Sequence, residues 1–208
     1  MSECTVSLPA GTDIQPHITP NAVICLAPGR YPGALRVDVP VTIQASSGAT
    51  LDAGGRGPVL HVAEHGIRVR LAGLTITGGD AEFGAGLLVD THGEVSLDDC
   101  EFVGNTPGRG GGAAIGATHG RLWMRNVRTA GAQDVVFGGV AHVAGESAQL
   151  RSDVGIRDGA RVALRGGSVG QLTVRGTTTR QPEVVLEGVQ TGTIENHPTV
   201  PGTIIVRP

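Results

Sequence analysis

The sequence has no lysine, and each of its 16 basic residues is an arginine. This absence excludes chemistry that depends on a lysine amine, including Schiff bases and the phosphate-binding lysine of P-loops. Aromatic residues are also scarce, at 2% of the chain. The longest stretches free of both glycine and proline are 94–103 and 121–130, and either residue inside a helix costs about 1 to 3 kcal/mol. Long helices are therefore excluded.

The chain also lacks an excess of positive charge and a long apolar run. Its net charge is −3 and its pI is about 6.1, so we expect neither nucleic acid nor an acidic lipid surface as a partner. A spanning helix needs roughly 20 apolar residues in succession, so no membrane span is expected. The first residues, MSECTV, have neither the basic start nor the apolar core of a signal peptide. The compartment stays open: cytoplasmic as written, or exported if the sequence is a trimmed product.

What the sequence does have is a repeat rich in glycine. His-Gly pairs occur at His65, His92 and His119, which is a spacing of 27 twice over. An alternating run follows each pair, and its apolar positions align between repeats, as Val95 does with Leu122. Beyond position 130 the spacing shortens to 22, as between the runs 162–164 and 184–186. Short strands in a repeat of this length predict solenoid coils, in which each strand pairs with its equivalent one coil away, at about 4.8 Å.

We therefore predict an all-β fold, a single right-handed parallel β-helix of about seven to nine coils. Residues 1–20 are predicted as an N-terminal cap segment, 21–195 as the β-helix, and 196–208 as a C-terminal cap or tail. Open solenoid ends expose unpaired strands, so we expect these segments, or self-association through the coil ends, to cover them. Cys4 and Cys25 either form a disulfide or stay free, whereas Cys100 falls in an apolar pattern and is predicted to lie in the core.

Several segments carry a more specific signal: residues 71–79 (LAGLTITGG), 84–86 (GAG) and 95–105 (VSLDDCEFVGN), together with 24–31 and 49–55. They closely resemble the pectate-lyase-like right-handed β-helix repeat, in the version seen in bacterial surface and polymorphic outer-membrane proteins. The resemblance covers roughly residues 20–190. It implies the fold strongly and the function weakly, since this scaffold serves lyases, hydrolases, adhesins and stalks. It also implies an N-terminal capping helix, which Pro16 and Pro20 would interrupt, so we expect an irregular cap.

Charged residues of neighbouring coils alternate in sign, with Glu94 over Arg121, Asp98 over Arg125, Glu101 over Arg128 and, one coil earlier, Arg68 over Glu94. We favour a structural interpretation, a ladder of ion pairs that stabilises the stack by about 0–1 kcal/mol per exposed pair. The catalytic alternative assigns Asp98, Asp99, Arg121 and Arg125 to a small polysaccharide lyase or glycoside hydrolase. The adjacent aspartates resemble the acid and base of β-helix hydrolases, but the other hydrolase motifs are missing.

Two sets of residues are weak candidates for metal binding. Asp80 and Glu82 form an acid pair in a predicted glycine-rich loop and suit Ca²⁺, which only the lyase alternative requires. His65, His92 and His119 are predicted to stack in a column at one corner, where imidazoles could bind a transition metal. Ordinary solvent-exposed turns are the favoured explanation of both sets, so we expect no cofactor. The glycine-rich run at 108–113 is not a phosphate loop and is predicted to close a tight corner.

Trp123 is the best candidate for contact with a partner. The register places it outward, flanked by Arg121 and Arg125 on the same face, whereas Phe102 is placed inward and Phe83 falls in a loop. We therefore predict a non-enzymatic scaffold or recognition module that presents a flat β-surface to a protein or a polysaccharide. The lyase or hydrolase remains the alternative, to be distinguished by a substrate groove.

Overall fold

The computed structural model describes residues 3–131, 134–198 and 200–208, and it confirms the predicted all-β class. About 57% of it is strand, arranged as a parallel β-solenoid of about nine turns. Helical structure in these residues is limited to one 3-10 turn, Gln15–His17. The predicted cap and tail include Met1, Ser2 and Thr199, which lie outside the described residues. The strands are, in chain order, β1 (Val6–Leu8), β2 (Ala22–Leu26), β3 (Gly29–Pro32), β4 (Leu35–Val37), β5 (Val41–Asp52), β6 (Leu60–Val62), β7 (Arg68–Thr77), β8 (Asp80–Phe83), β9 (Leu87–Val89), β10 (Glu94–Asp98), β11 (Glu101–Val103), β12 (Thr106–Gly111), β13 (Ile115–Ala117), β14 (Arg121–Arg125), β15 (Arg128–Ala130), β16 (Val135–Phe137), β17 (His142–Glu146), β18 (Gln149–Arg157), β19 (Arg161–Arg165), β20 (Ser168–Arg175), β21 (Glu183–Glu187), β22 (Gln190–Thr191), β23 (Ile194–Asn196) and β24 (Thr203–Arg207).

The strands form three faces, which we name in the order in which each coil visits them. Face A consists of β1, β2, the first half of β5 and of β7, then β10, β14, β17, β19, β21 and β24. Face B consists of β3, the second half of β5 and of β7, β11, β15, the first part of β18 and of β20, and β22. Face C consists of β4, β6, β9, β13, β16, the remainder of β18 and of β20, and β23. All of these pairings are parallel.

The core is a set of columns of like side chains, as the aligned repeats predicted. Val95 pairs with Leu122, and Leu97 with Met124, in the register that the repeat predicted. Phe102 is fully buried and lies in register between Ile76 and Thr129 of the neighbouring coils. Buried and outward positions alternate along strands such as β10 and β14, which places every second residue inside. Burial of these apolar columns is the main favourable term in stacking the coils.

The N-terminal segment joins the stack rather than forming a helix. In place of a capping helix, the described residues of this segment form a single helical turn, the 3-10 turn Gln15–His17, which contains Pro16. Ile14 is fully buried, and β1 adds a short strand to β2. Cys4 and Cys25 form a disulfide, which is one of the two alternatives that the sequence left open. Cys100 is free and buried, as its apolar pattern predicted.

The segment predicted as a C-terminal cap or tail contains a further strand of the solenoid. β24 pairs with β21 through all five of its residues, from Thr203 with Glu183 to Arg207 with Glu187. Its Ile205 and Val206 are 36% and 55% exposed. The β-branched run TIIV at 203–206 indicates a strand, and its distance along the chain from residues 183–187 matches the shorter coils, which places it on face A.

The predicted loop around Asp80, Glu82 and Phe83 is wrong, and so is the predicted corner at 108–113. Residues Asp80–Phe83 form β8, and Thr106–Gly111 form β12, which pairs with β8 in a separate two-stranded parallel sheet. Both strands lie between face B and face C of successive coils. Backbone pairing therefore orders both segments, although one is flanked by glycines and the other contains them. Gly108 fits because a Cβ there would lie 2.7 Å from Glu82.

Candidate functional site

Face A carries three columns of outward side chains, because the first, third and fifth residues of each five-residue strand point away from the core. The middle column, which we call the central column, is made of small or apolar side chains beyond its first members. Two outer columns, which we call the charged rails, flank it. The central column contains Arg70, Ser96, Trp123, Ala144, Ala163 and Val185; one rail contains Arg68, Glu94, Arg121, His142, Arg161 and Glu183; the other contains Asp98, Arg125, Glu146, Arg165 and Glu187.

The first rail contains the predicted ion pairs. Glu94 accepts hydrogen bonds from Arg68 Nε at 3.0 Å and from Arg121 Nη1 at 3.3 Å, so one carboxylate links three successive coils. Both arginines are largely exposed, at 82% and 65% of their side-chain surface. Water screens pairs of this kind, so each contributes at most about 1 kcal/mol. The same register brings Glu101 against Arg128 on face B.

Asp98 is the most enclosed carboxylate of the rails, with a side chain only 15% exposed. Its Oδ1 accepts a hydrogen bond from Arg125 Nε at 3.0 Å, as predicted, and its Oδ2 lies 2.8 Å from Arg70 Nη2. The contact with Arg70 was missed because Arg70 is in register with Ser96 and reaches Asp98 along the diagonal. Two guanidinium groups therefore hold one carboxylate, and both of its oxygens are engaged.

Asp99 does not share this environment. It adopts a left-handed conformation (φ 53°) after β10 and accepts a hydrogen bond at 2.7 Å from Nδ2 of Asn126, which lies one 27-residue repeat later. Asp98 lines the groove on face A, whereas Asp99 lines a separate cleft with Cys100. The two aspartates of the catalytic alternative therefore face different surfaces and do not converge on one bond.

Trp123 is 54% exposed and stands in the middle of face A, with Arg121 and Arg125 on either side. It forms one wall of a groove of about 660 Å³, which Arg70, Asp98 and Arg125 also line. A second groove of about 350 Å³ lies on the opposite side of Trp123, along the rail that contains Arg121 and Arg161. Ala144 and Ala163 contribute to the floor of both grooves. Small residues after a large aromatic ring thus leave an open channel along the solenoid axis.

The repeat pattern in the sequence did not predict this apolar floor or the ladder of ion pairs that borders it. Arg165 Nε lies 2.8 Å from Glu187 Oε2, and Arg161 Nε lies 3.8 Å from Glu183 Oε2. The signal was present, because these residues flank the matching runs 162–164 and 184–186. Face A is also richer in arginine than in carboxylate, although carboxylates outnumber arginines in the whole chain, 19 to 16. The outward arginines of face A are Arg68, Arg70, Arg121, Arg125, Arg161, Arg165 and Arg207, and its outward carboxylates are Glu94, Asp98, Glu146, Glu183 and Glu187.

A second groove system, on face C, was also missed. Asp134 and Asp153 lie in register one coil apart, just before Val135 and Val154, and both line a groove of about 840 Å³ with Arg157 and Arg175. Burial, and then the negative charge of Asp153, raise the pKa of the Asp134 carboxyl. The sequence signal for this pair is the Asp-Val dipeptide, which recurs at 134–135 and 153–154.

The predicted histidine column forms. The ring centres of His65 and His92 are 5.2 Å apart, and those of His92 and His119 are 4.8 Å apart. Among the described residues, no group of three or more His, Cys, Asp or Glu side chains is arranged to hold a metal ion. Asp80 and Glu82 both belong to β8, with one residue between them.

The fold and these surfaces define a parallel β-solenoid with an ion-paired outer face. No protein-family model, curated protein or solved structure matches the chain. Within the described residues, no helix has the length and apolar character needed to cross a membrane.

Proposed function

We propose that this protein is a non-enzymatic recognition module that presents face A to an elongated partner, a polysaccharide or a protein. One observation supports this most directly. The exposed Trp123 ring stands at one end of an apolar floor, formed by Ala144 and Ala163, between two rails of paired charges. Stacking of the coils does not require an exposed tryptophan there, since its neighbours in the column are a serine and an alanine.

Of the two partner classes, the groove suits a glycan better. A tryptophan ring offers a large apolar surface on which a sugar ring can stack. The flanking guanidinium and carboxylate groups of Arg125 and Asp98 offer hydrogen bonds that can orient hydroxyl or carboxylate substituents. The resemblance of residues 71–79 and 95–105 to pectate-lyase-like bacterial repeats supports the same choice, since that superfamily acts largely on polysaccharides.

The alternative is a small polysaccharide lyase or glycoside hydrolase. It is favoured by the position of Asp98, which lines the same groove as Trp123 and lies between Arg70 and Arg125. Against it, a hydrolase needs two carboxyl groups on either side of one bond, and Asp99 lies in another cleft. Ca²⁺ would be expected only if this alternative holds.

Trp123 is the only tryptophan of the chain, so its fluorescence reports directly on occupation of the groove. A panel of acidic and neutral polysaccharides should include one that changes the emission, and Trp123→Ala should weaken binding of that polysaccharide about tenfold or more when measured by calorimetry. Val206→Ala is the matched control, because Val206 is equally exposed but lies in the last strand. Unchanged binding by Trp123→Ala would contradict the proposal.

The enzymatic alternative is tested on the same panel. Release of reducing ends or unsaturated products, with and without Ca²⁺, that disappears in Asp98→Ala would establish catalysis in place of recognition alone. A partner protein is tested separately with a purified candidate, and its binding must also depend on Trp123.

A further inference from the structure

We propose that His92 and His119 together bind one divalent cation of the class that prefers imidazole ligands, such as Zn²⁺ or Cu²⁺. The two residues occupy equivalent positions of successive coils, at the corner that precedes β10 and β14 of face A. His92 is exposed and the His119 side chain is 38% exposed, so an ion can reach both rings. This site is independent of the groove beside Trp123.

The spacing of the rings is that of two imidazoles on one ion. A metal–nitrogen bond of about 2.0–2.1 Å places the centre of each coordinated ring about 3.2 Å from the ion. Two rings that subtend an angle between about 90° and 109° at the ion then have centres about 4.5–5.2 Å apart. The ring centres of His92 and His119 are 4.8 Å apart. The coil repeat therefore already holds the rings at a coordinating distance.

A chain of hydrogen bonds prepares His119 as a ligand. The Thr118 hydroxyl donates to Asp90 Oδ1 at 3.2 Å, so its oxygen is left to accept from His119 Nδ1, 3.0 Å away. Asp90 Oδ1 itself lies 3.5 Å from the same ring nitrogen. The proton of a neutral His119 ring therefore sits on Nδ1, and Nε2 has a free lone pair. A carboxylate behind a histidine is the usual support for a metal-bound imidazole.

The same reasoning makes His65 the poorer ligand. Its Nδ1 accepts a hydrogen bond from the backbone N–H of His92 at 3.4 Å, which favours the tautomer with the proton on Nε2. Metal binding through Nε2 would require the proton to move to Nδ1 and this hydrogen bond to break. His65 thus serves as a control that stands in the same column with nearly the same ring spacing but has the other tautomer.

The ligand set also indicates the class of ion. Imidazole suits Zn²⁺, Cu²⁺ and Ni²⁺, whereas Ca²⁺ requires oxygen ligands. The described residues provide no group of three ligands here, so water or an added ligand must complete the shell and the ion must exchange readily. Thiolates do not compete, because Cys4 and Cys25 form a disulfide and Cys100 is buried.

The test is calorimetric titration of the full chain, without a histidine tag, with Zn²⁺, and electron paramagnetic resonance with one equivalent of Cu²⁺. We expect one site with two coordinated nitrogens, and at least a tenfold loss of affinity in His92→Gln and in His119→Gln. Asp90→Asn should lose affinity several-fold through the Thr118 chain. His65→Gln and His142→Gln should stay within about twofold of the unmodified protein.

Three results would overturn the proposal: no binding by the unmodified protein, binding that survives His119→Gln, or an equal loss in His142→Gln. Ca²⁺ in place of Zn²⁺ should give no heat of binding at this site. Circular dichroism of each variant tests whether a loss of metal binding comes from unfolding.

Discussion

Gly73 lies at the corner between face A and face B, where the chain passes directly against the preceding coil. Its φ is 68°, and a Cβ placed on it would lie 2.2 Å from the carbonyl oxygen of Ala45. Gly66 has nearly the same conformation, with φ 72°, but a Cβ there would meet nothing within 4 Å. Substitution of each glycine by alanine therefore distinguishes two free-energy costs, that of the left-handed backbone conformation and that of the contact with the Ala45 carbonyl.

The expected effects follow from these two terms. An L-residue in the left-handed region costs about 1–2 kcal/mol, and both Gly66→Ala and Gly73→Ala incur this cost. Only Gly73→Ala must also push the backbone of Ala45 away by roughly 1 Å, and overpacking of this kind costs typically about 1–3 kcal/mol more. We thus expect Gly73→Ala to lower the free energy of unfolding by about 2–5 kcal/mol and Gly66→Ala by about 1–2 kcal/mol.

Urea denaturation followed by circular dichroism measures both effects on the same scale, and the transition midpoints can be compared even if the solenoid unfolds in more than one step. Equal midpoints for Gly66→Ala and Gly73→Ala would refute the reasoning, since they would show that the Ala45 carbonyl does not limit the approach of the coils.

Three further predictions concern single side chains. Asp98→Ala should lower the free energy of unfolding by about 1 kcal/mol in low salt and by less in about 1 M NaCl, because its arginine partners are partly exposed. If the loss of stability were the same at both salt concentrations, the result would argue against ion pairing. Asn105→Ala should cost about 2–4 kcal/mol in urea denaturation, because buried Asn105 accepts from Gly79 N–H at 3.0 Å and donates to Ile76 O at 3.1 Å. Burial raises the pKa of the Cys100 thiol to about 12, so the thiol stays protonated at pH 8; iodoacetamide should modify it only after unfolding, and rapid labelling of the folded protein would contradict its burial.

The fold and the straight ladder could be predicted because both follow from the coil repeat. In a parallel solenoid, a residue pairs with the residue one repeat later, so the repeat length alone is enough to place Glu94 against Arg121. Like charges at such positions would repel across about 4.8 Å, whereas opposite charges attract. The alternation in sign therefore agrees with the register that the repeat predicts.

The sequence did not predict features that depend on the length of a side chain or on a change in the length of the repeat. Arg70 reaches Asp98 along a diagonal, which simple alignment of columns does not reveal. The Ala144 and Ala163 floor lies where the coils shorten, since Arg121 pairs with His142 and His142 in turn pairs with Arg161. The extra sheet of β8 and β12 forms in an insertion, outside the repeat altogether.

The same distinction indicates where function is to be sought in a solenoid. Residues that follow the repeat, such as the paired members of the rails, are explained by the need of each coil to match its neighbours. Residues that the repeat does not require have to be explained in another way. Trp123 stands exposed between Ser96 and Ala144, and three histidines recur where any polar turn residue would serve. Coil stacking requires neither the tryptophan nor the histidines, and these are the places where a partner and a metal ion are proposed. Both can be replaced without changing the core.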